Sequence, residues 1–353
     1  MSKLRVAVIG NGSISEVHFK GYAANPDTEI VAVCDLNRER AEAKAKTYQA
    51  RFVYTDYREL LANPEVDAVS ICTWNNTHAE ISIAALQAGK HVLCEKPMCQ
   101  TLEQALEVER AVAASGRVFQ VGYVRRHGTN TQVLKKFIDA GDLGEIYYAK
   151  ASILRRVGNP GGWFSDLSKS GGGPLIDLGV HAIDLAWYLM GRPRVASVSG
   201  NTYRKLGNRA HIQNYSFYKA ADYDAAKNEV EDLANALIRF ENGASMMVDV
   251  SFTLHAKKDE LSLKLYGDKG GAEVEPELVI VTEKHDTILN VNPQIDSLTF
   301  QFEQGFKTEI AHFVDSCLGR VEPLSPVQDG VEMAKILGAI YQSAAEGREI
   351  SFR

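Results

Sequence analysis

From Leu4 to about Val121 the chain alternates short apolar runs with stretches of helical period, and this alternation restricts its fold more than any single motif does. The runs are LRVAVIG, EIVAVCD, VDAVSICT, KHVLCE and RVFQVGY; helical segments separate them, one reaching Ala24 and others starting near Arg38, Thr77 and Thr101. Repeated strand-helix-strand units close into parallel pairs, so residues 1–124 are expected to form a doubly wound α/β domain on a parallel sheet. The runs are continuous rather than alternating, as strands buried on both faces are.

After Gly122 the texture changes. A helix from Thr129 to Ala140 leads into EIYYAKASILRR, a Gly-rich loop and a second helix, and then into segments of strand character. ANALIRF and ASMMVDVSF flank Glu241-Asn-Gly243 and read as a hairpin; ELSLKLYGDKGGAEVEP reads as another around Gly267 to Gly271. Consecutive hairpins predict an α+β second domain, residues 125–353. Its last helices, about 305–347 and interrupted by Pro323 and Pro326, are expected to pack back toward the first domain.

Charge and composition narrow the function. The net charge is −6 with 24% charged residues of mixed sign and no Lys/Arg block, which argues against nucleic acid and for a small-molecule partner. No apolar run reaches membrane-spanning length, and the N-terminal stretch enters a strand without a signal-peptide pattern. Five cysteines, an odd number, suit a reducing compartment. A cytoplasmic protein is expected.

The first strand runs into Gly10-Asn11-Gly12-Ser13-Ile14-Ser15, a G-x-G-x-x-G pattern with Ser in the third place. The first Gly permits the tight turn, the second lets a pyrophosphate approach the backbone, and the helix that follows offers N–H donors and a favourable dipole. Asp35 ends the second strand 20 residues after Ser15, where an acid can accept from ribose hydroxyls. Its charge repels a 2′-phosphate, so NAD is favoured; Arg38 and Arg40 lie near enough in sequence to pair such a phosphate, which leaves NADP open.

Five segments occur in order along nearly the whole chain: the glycine loop, Cys72-Thr73-Trp74-Asn75-Asn76-Thr77-His78, Glu95-Lys96-Pro97, Gly122-Tyr123-x-x-Arg126, and Gly171-Gly-Gly-Pro-Leu-Ile-Asp177-Leu-Gly-Val-His181-Ala-Ile-Asp184. Together they resemble the glucose-fructose oxidoreductase / inositol dehydrogenase / MocA (Gfo/Idh/MocA) family. The resemblance implies an N-terminal Rossmann domain, a C-terminal domain on a large open mixed, mostly antiparallel sheet, and a homodimer or homotetramer formed through that sheet. It places Lys96 near nicotinamide and substrate, and makes Asp177 and His181 the family's D-x-x-x-H pair. Thr73, Asn75, His78 and Glu95 fall at cofactor-side positions beside Gly10, Gly12, Ser13, Ile14 and Asp35. Trp74 stands where the family usually has Pro. A cis Lys96-Pro97 bond is also implied.

The residues themselves carry part of this. Lys96 precedes a proline and is pushed out of the helical region as its strand ends, aimed at the carboxyl edge of the sheet. Pro174 is suited to the first helical position after a flexible triple glycine, so Asp177 lies in the first turn and His181 one turn later on the same face. Ile176, Val180, Ile183, Trp187 and Met190 form an apolar stripe, with Asp177, His181, Asp184 and Tyr188 beside it. The helix N-terminus favours a neutral imidazole and Asp177 a charged one, and the sequence leaves the balance open.

The loop Asn159-Pro-Gly-Gly-Trp163-Phe164 reads equally as a cover over a sugar ring and as a surface loop anchored by Trp163. With Tyr123 and Arg126 it completes the candidate substrate set of Tyr123, Arg126, Asn159, Trp163, Asp177 and His181. Residues 219–232 read as a solvated charged excursion. No cysteine or histidine spacing supports a metal. The function expected is NAD-dependent hydride transfer at a secondary hydroxyl of a cyclic sugar or polyol, with Lys96, Asp177 and His181 catalytic. Two alternatives stand beside it: a glycosidase that oxidises its substrate transiently, and a non-catalytic nucleotide-dependent regulator.

Overall fold

The computed structural model describes residues 3–352. The chain divides into two compact units, one holding the residues up to His127 with Phe302–Ala334, the other Gly128–Gln301 with the residues from Lys335 on.

The first unit is built on strands β1 (Leu4–Ile9), β2 (Thr28–Cys34), β3 (Phe52–Tyr54), β4 (Ala68–Ile71), β5 (His91–Glu95) and β6 (Phe119–Gly122), and on helices α1 (Ser15–Ala24), α2 (Arg38–Tyr48), α3 (Tyr57–Leu61), α4 (His78–Gln87) and α5 (Leu102–Ser115). The strands lie in the order β3-β2-β1-β4-β5-β6, every pair parallel, as a Rossmann fold requires. β3 and α3 add to the elements expected from sequence. Three half-buried residues at a sheet edge and a helix of five carry too few positions for a period to emerge. Local chemistry sets the helix starts: Asn37 accepts from Arg40 N ahead of α2, and Thr101 accepts from Gln104 N ahead of α5.

The second unit contains α6 (Thr129–Asp139), β7 (Ile146–Leu154), α7 (Leu167–Ser170), α8 (Val180–Leu189), β8 (Val195–Tyr203), β9 (Leu233–Phe240), β10 (Ser245–Ser251), β11 (Glu260–Gly267), β12 (Gly270–Glu275), β13 (Val279–Lys284) and β14 (Thr287–Val291). The tail supplies α9 (Phe302–Cys317), α10 (Val327–Glu346) and β15 (Ile350–Ser351). Nine strands form one sheet in the order β14-β13-β12-β11-β7-β10-β9-β8-β15, antiparallel throughout except for the β7/β10 pair. Both hairpins form where expected, and Gly243 adopts φ 89° in the first of them. Ala149, Ala151, Ala236, Ile238, Met246, Val248, Leu263 and Leu265 line the buried side of this sheet. In register across β10, β7 and β11, Met247, Lys150 and Lys264 lie on its other side, with Tyr148 stacked on Tyr266 at 5.4 Å.

α8 differs from its expected pattern. Its opening turn, Leu175–Gly179, is a π-turn, and the helix is buried nearly all round. Asp184 and Tyr188, expected on a polar face, are only 1% and 3% exposed. From Leu175 to Met190 only Asp177 and His181 are not buried.

α9 joins the first unit although the second separates it from the other elements in sequence. Ile310, Phe313 and Val314 enter the core formed by Val6, Val8, Phe19 and Tyr22, and a Cβ on Gly21 would lie 2.4 Å from Ile310 Cδ1, so the two helices meet with no room for a side chain. Arg126, in a short 3-10 turn after β6, fastens the start of α10 to this unit. Its guanidinium is fully buried, pairs with Asp329 and donates to the Leu324 carbonyl at 2.9 Å. Removing one partner of a buried pair strands the other charge, so Arg126→Ala is expected to lower unfolding free energy by about 3–5 kcal/mol in a denaturant titration.

Candidate functional site

The glycine loop is built by close approach. Gly10 has φ 86°, and a Cβ there would meet the Cys72 carbonyl oxygen at 2.6 Å and Thr73 N at 2.8 Å, so only glycine lets β1 end against the end of β4. Gly12 has nothing within 4 Å of a Cβ position, which leaves open space over the start of α1. Ser15 Oγ turns back to the Gly12 carbonyl at 2.6 Å, which suits Ser to the third place of the motif. No side chain caps α1 at Ile14, and Glu16 N and Val17 N make only long bonds, 3.4 and 3.3 Å, to the Ser13 and Ile14 carbonyls, so the positive end of the helix is open to an anionic group. Asp35, 8% exposed, accepts from Asn11 N at 2.7 Å and Asn37 N at 2.8 Å, and Arg40 stands 3.5 Å from its Oδ2. Each carboxylate oxygen keeps a further lone pair for a ribose hydroxyl. An open glycine, a helix start without a side-chain cap and a fixed acid fit a dinucleotide.

The loops after β4 and β5 are locked together. His78 is buried and places Nδ1 2.7 Å from the Pro97 carbonyl and Nε2 3.2 Å from the Thr73 carbonyl, with burial lowering its pKa. It ties these loops, and Thr73 meets Thr77 through their hydroxyls at 2.8 Å. Asn75 is buried and Trp74 is 39% exposed. The Lys96-Pro97 bond is cis.

Glu95 belongs to a network the sequence did not reveal. His18 Nε2 lies 2.8 Å from Glu95 Oε1, His18 Nδ1 lies 3.1 Å from Ser70 Oγ, and Tyr22 OH lies 2.7 Å from that same hydroxyl, all buried. Glu95 Oε2 accepts from Lys96 N at 3.3 Å. The network thus holds the backbone of Lys96 from beneath. A histidine three residues beyond Ser15 was its only trace in the sequence.

In the second unit, Asp177 and His181 emerge from an otherwise buried helix. The triple glycine ahead of them is not a flexible tether. A Cβ on Gly172 would lie 2.0 Å from Tyr341 OH, and one on Gly173 would lie 2.5 Å from the Glu231 carbonyl oxygen. Close packing is what excludes side chains there. Asn159 is 1% exposed and its carboxamide is occupied within the loop: Oδ1 accepts from Gly161 N at 2.9 Å and Ser165 Oγ at 3.0 Å, and Nδ2 donates to Asn228 at 3.0 Å. Trp163 stacks on Phe164 with centroids 3.9 Å apart. Residues 219–232 are more than a solvated excursion, because Ala220 N and Glu229 N donate to the Pro160 and Ser165 carbonyls and fasten the segment to this loop. In the first unit, Tyr123 is 1% exposed and Arg126 is engaged with Asp329.

Among the described residues no group of three or more His, Cys, Asp or Glu side chains is placed to hold a metal ion, and no helix is long and apolar enough to cross a membrane. Burial pushes the Cys72 and Cys94 thiols up, which keeps these strand-end cysteines protonated and unreactive. The open space at Gly12 gives a direct test of the cofactor cradle. Gly12→Val should leave folding stability within about 1 kcal/mol but weaken NAD binding, measured by titration calorimetry, by ~100-fold or more, since the backbone approach to the pyrophosphate is blocked.

Comparison with known proteins identifies the family and the fold. Residues 4–123 match the model of an oxidoreductase family with an NAD-binding Rossmann fold, and residues 131–273 match the GFO/IDH/MocA C-terminal domain. The chain is 33% identical over 352 residues to D-glucoside 3-dehydrogenase of Escherichia coli K12, covering 99% of this chain and 97% of that protein. It is 27% identical to levoglucosan dehydrogenase of Pseudarthrobacter phenanthrenivorans, covering 99% and 92%, and 29% identical to the NAD-dependent scyllo-inositol 2-dehydrogenase of Bacillus subtilis, covering 89% and 86%. A solved levoglucosan dehydrogenase in complex with NADH and levoglucosan superposes with a TM-score of 0.86 at 25% identity, covering 99% of both chains. The chain therefore belongs to the Gfo/Idh/MocA family of NAD-dependent oxidoreductases.

Proposed function

We propose that this protein oxidises a secondary ring hydroxyl of a cyclic sugar or sugar-like polyol, with a glycoside the favoured substrate. The observation that carries this reading is the helix from Leu175 to Met190, buried except for one acid and one base spaced four residues apart. Asp177 and His181 are the partly exposed positions of that helix, and a hydroxyl to be deprotonated needs a base and gains from an acid that orients it. The substrates named by the relatives, a D-glucoside, levoglucosan and scyllo-inositol, share a six-membered ring of secondary hydroxyls.

Bound NAD supplies the hydride acceptor. The chain does the rest. His181 takes the hydroxyl proton onto its imidazole, and Asp177 orients that ring or accepts from a neighbouring hydroxyl. Lys96, its backbone held through Glu95 and His18, brings an ammonium to the reacting oxygen and stabilises the alkoxide as it develops. Trp163, stacked on Phe164, covers the sugar and excludes water. Asn159 acts by shaping that loop, and Arg126, spent on Asp329, is left out of the substrate set. We place the protein in the cytoplasm, assembled as a homodimer or homotetramer through the sheet side bearing Tyr148, Met247 and Tyr266.

The test is NADH absorbance with a panel of glucosides, anhydrosugars and inositols. Lys96→Ala and His181→Ala are each expected to lower kcat by ~10²–10⁴-fold, the range for a lost proton-transfer group, while NAD still binds. Oxidation undiminished in both variants would remove their roles; cleavage of a glycoside with no net NADH would replace the dehydrogenase by a transiently oxidising glycosidase. Cofactor choice follows from Asp35. The wild type is expected to prefer NAD, and Asp35→Ser should shift the kcat/KM ratio toward NADP by ~10-fold or more as the repulsion is lost and Arg40 becomes available to a phosphate.

A further inference from the structure

Glu231 lies just before β9, at the end of the charged stretch, yet its side chain is buried at 8% exposure. Its carboxylate turns onto the start of the Asp177–His181 helix. Oε2 accepts from Gly173 N at 2.9 Å and Oε1 from Leu175 N at 3.2 Å, so the two bonds bracket Pro174, which has no N–H to offer. Tyr341, on α10, donates its hydroxyl to the same Oε1 at 2.9 Å. Desolvation and the neighbouring carboxylate hold the Tyr341 phenol well above its usual range, so it remains a donor. A carboxylate at a helix start is also favoured by the dipole.

The surrounding glycines fit this arrangement. Gly172 leaves the space taken by Tyr341 OH, and Gly173 that taken by the Glu231 backbone. The turn so gripped is the π-turn, a wider and less regular start than an α-helix has, which carries Asp177 and ends at Gly179, two residues before His181. Asp177 N itself bonds to the Gly173 carbonyl at 3.0 Å, so any shift of Gly173 passes directly to Asp177.

We propose that Glu231 and Tyr341 are positioning residues that clamp this turn and thereby set where Asp177 and His181 stand, an inference that rests on the dehydrogenase reading above. They act through the Gly173 and Leu175 amides rather than on the reacting groups. A glutamine at 231 turns an NH₂ toward a donor that the carboxylate satisfies, so it opens one side of the clamp while conserving size.

The experiment uses the full-length protein with NAD and whichever ring substrate the wild type oxidises, comparing it with Glu231→Gln and Tyr341→Phe. Two readouts are taken. Amide hydrogen exchange over residues 172–181 is expected to quicken in both variants, more in Glu231→Gln. In turnover, Glu231→Gln is expected to lose about tenfold or more in kcat, with KM for NAD within about twofold and a larger primary isotope effect for carbinol-deuterated substrate, because displaced groups slow the hydride step. Tyr341→Phe should move each quantity the same way by less, and it decides the matter if Glu231→Gln fails to fold. A merely unfolded fraction lowers kcat and leaves the isotope effect where it was. Unchanged exchange in the folded variants overturns the clamp; quickened exchange with kcat and isotope effect unchanged overturns its positioning role. Quickened exchange in a protein whose wild type oxidises no ring hydroxyl upholds the clamp and sinks the dehydrogenase reading instead.

Discussion

The contact between Gly10 and the end of β4 is the constraint on which the cofactor side of this protein depends. Backbone meets backbone there, at distances no side chain tolerates, and so the loop after β1 is pinned to Cys72 and Thr73. From that point the ties spread along the carboxyl edge of the parallel sheet. Asp35 reaches from β2 to Asn11 N, and His78 joins the Thr73 carbonyl to the Pro97 carbonyl. Strand-end loops that elsewhere move independently become one preorganised rim, and a rim fixed before the ligand arrives loses less freedom on binding.

Two buried acids extend the same logic. Neither Glu95 nor Glu231 is solvated, and each holds a backbone segment next to a candidate catalytic group: Glu95 below Lys96, Glu231 before Asp177. Burying a carboxylate costs free energy unless several donors meet it. His18 and the Lys96 amide meet the first; two amides and a phenol meet the second. The acids thus sit one step behind these candidate groups, where a rigid supporting residue improves aim without competing for a ligand.

The sequence disclosed what depends on period and on local chemistry. Parallel strands read as unbroken apolar runs, hairpins announced themselves at Glu241-Asn-Gly243 and Asp268-Lys-Gly, and the glycine loop with Asp35 read as a nucleotide site. What it withheld depends on distant partners. β3 is too short to show a period, and Asp184 and Tyr188 are polar residues that the second unit buries. Arg126 looked free to meet a substrate because Asp329 lies 203 positions away, and Glu231 looked solvated because Tyr341 and Gly173 are remote in sequence. The triple glycine read as flexible for the same reason: the atoms that forbid a Cβ come from elsewhere in the chain.

A dehydrogenase of this kind moves a hydride directly from a ring carbon to the cofactor and leaves it there. The measurement that tests it is the fate of deuterium carried on the oxidised carbon of a ring substrate, followed by NMR of the recovered nicotinamide. One deuterium in each NADH formed, retained at C4 with none released to solvent, is the predicted result. Oxidised sugar accompanied by unlabelled NADH, or deuterium returned to a cleaved product with no labelled cofactor remaining, would contradict it.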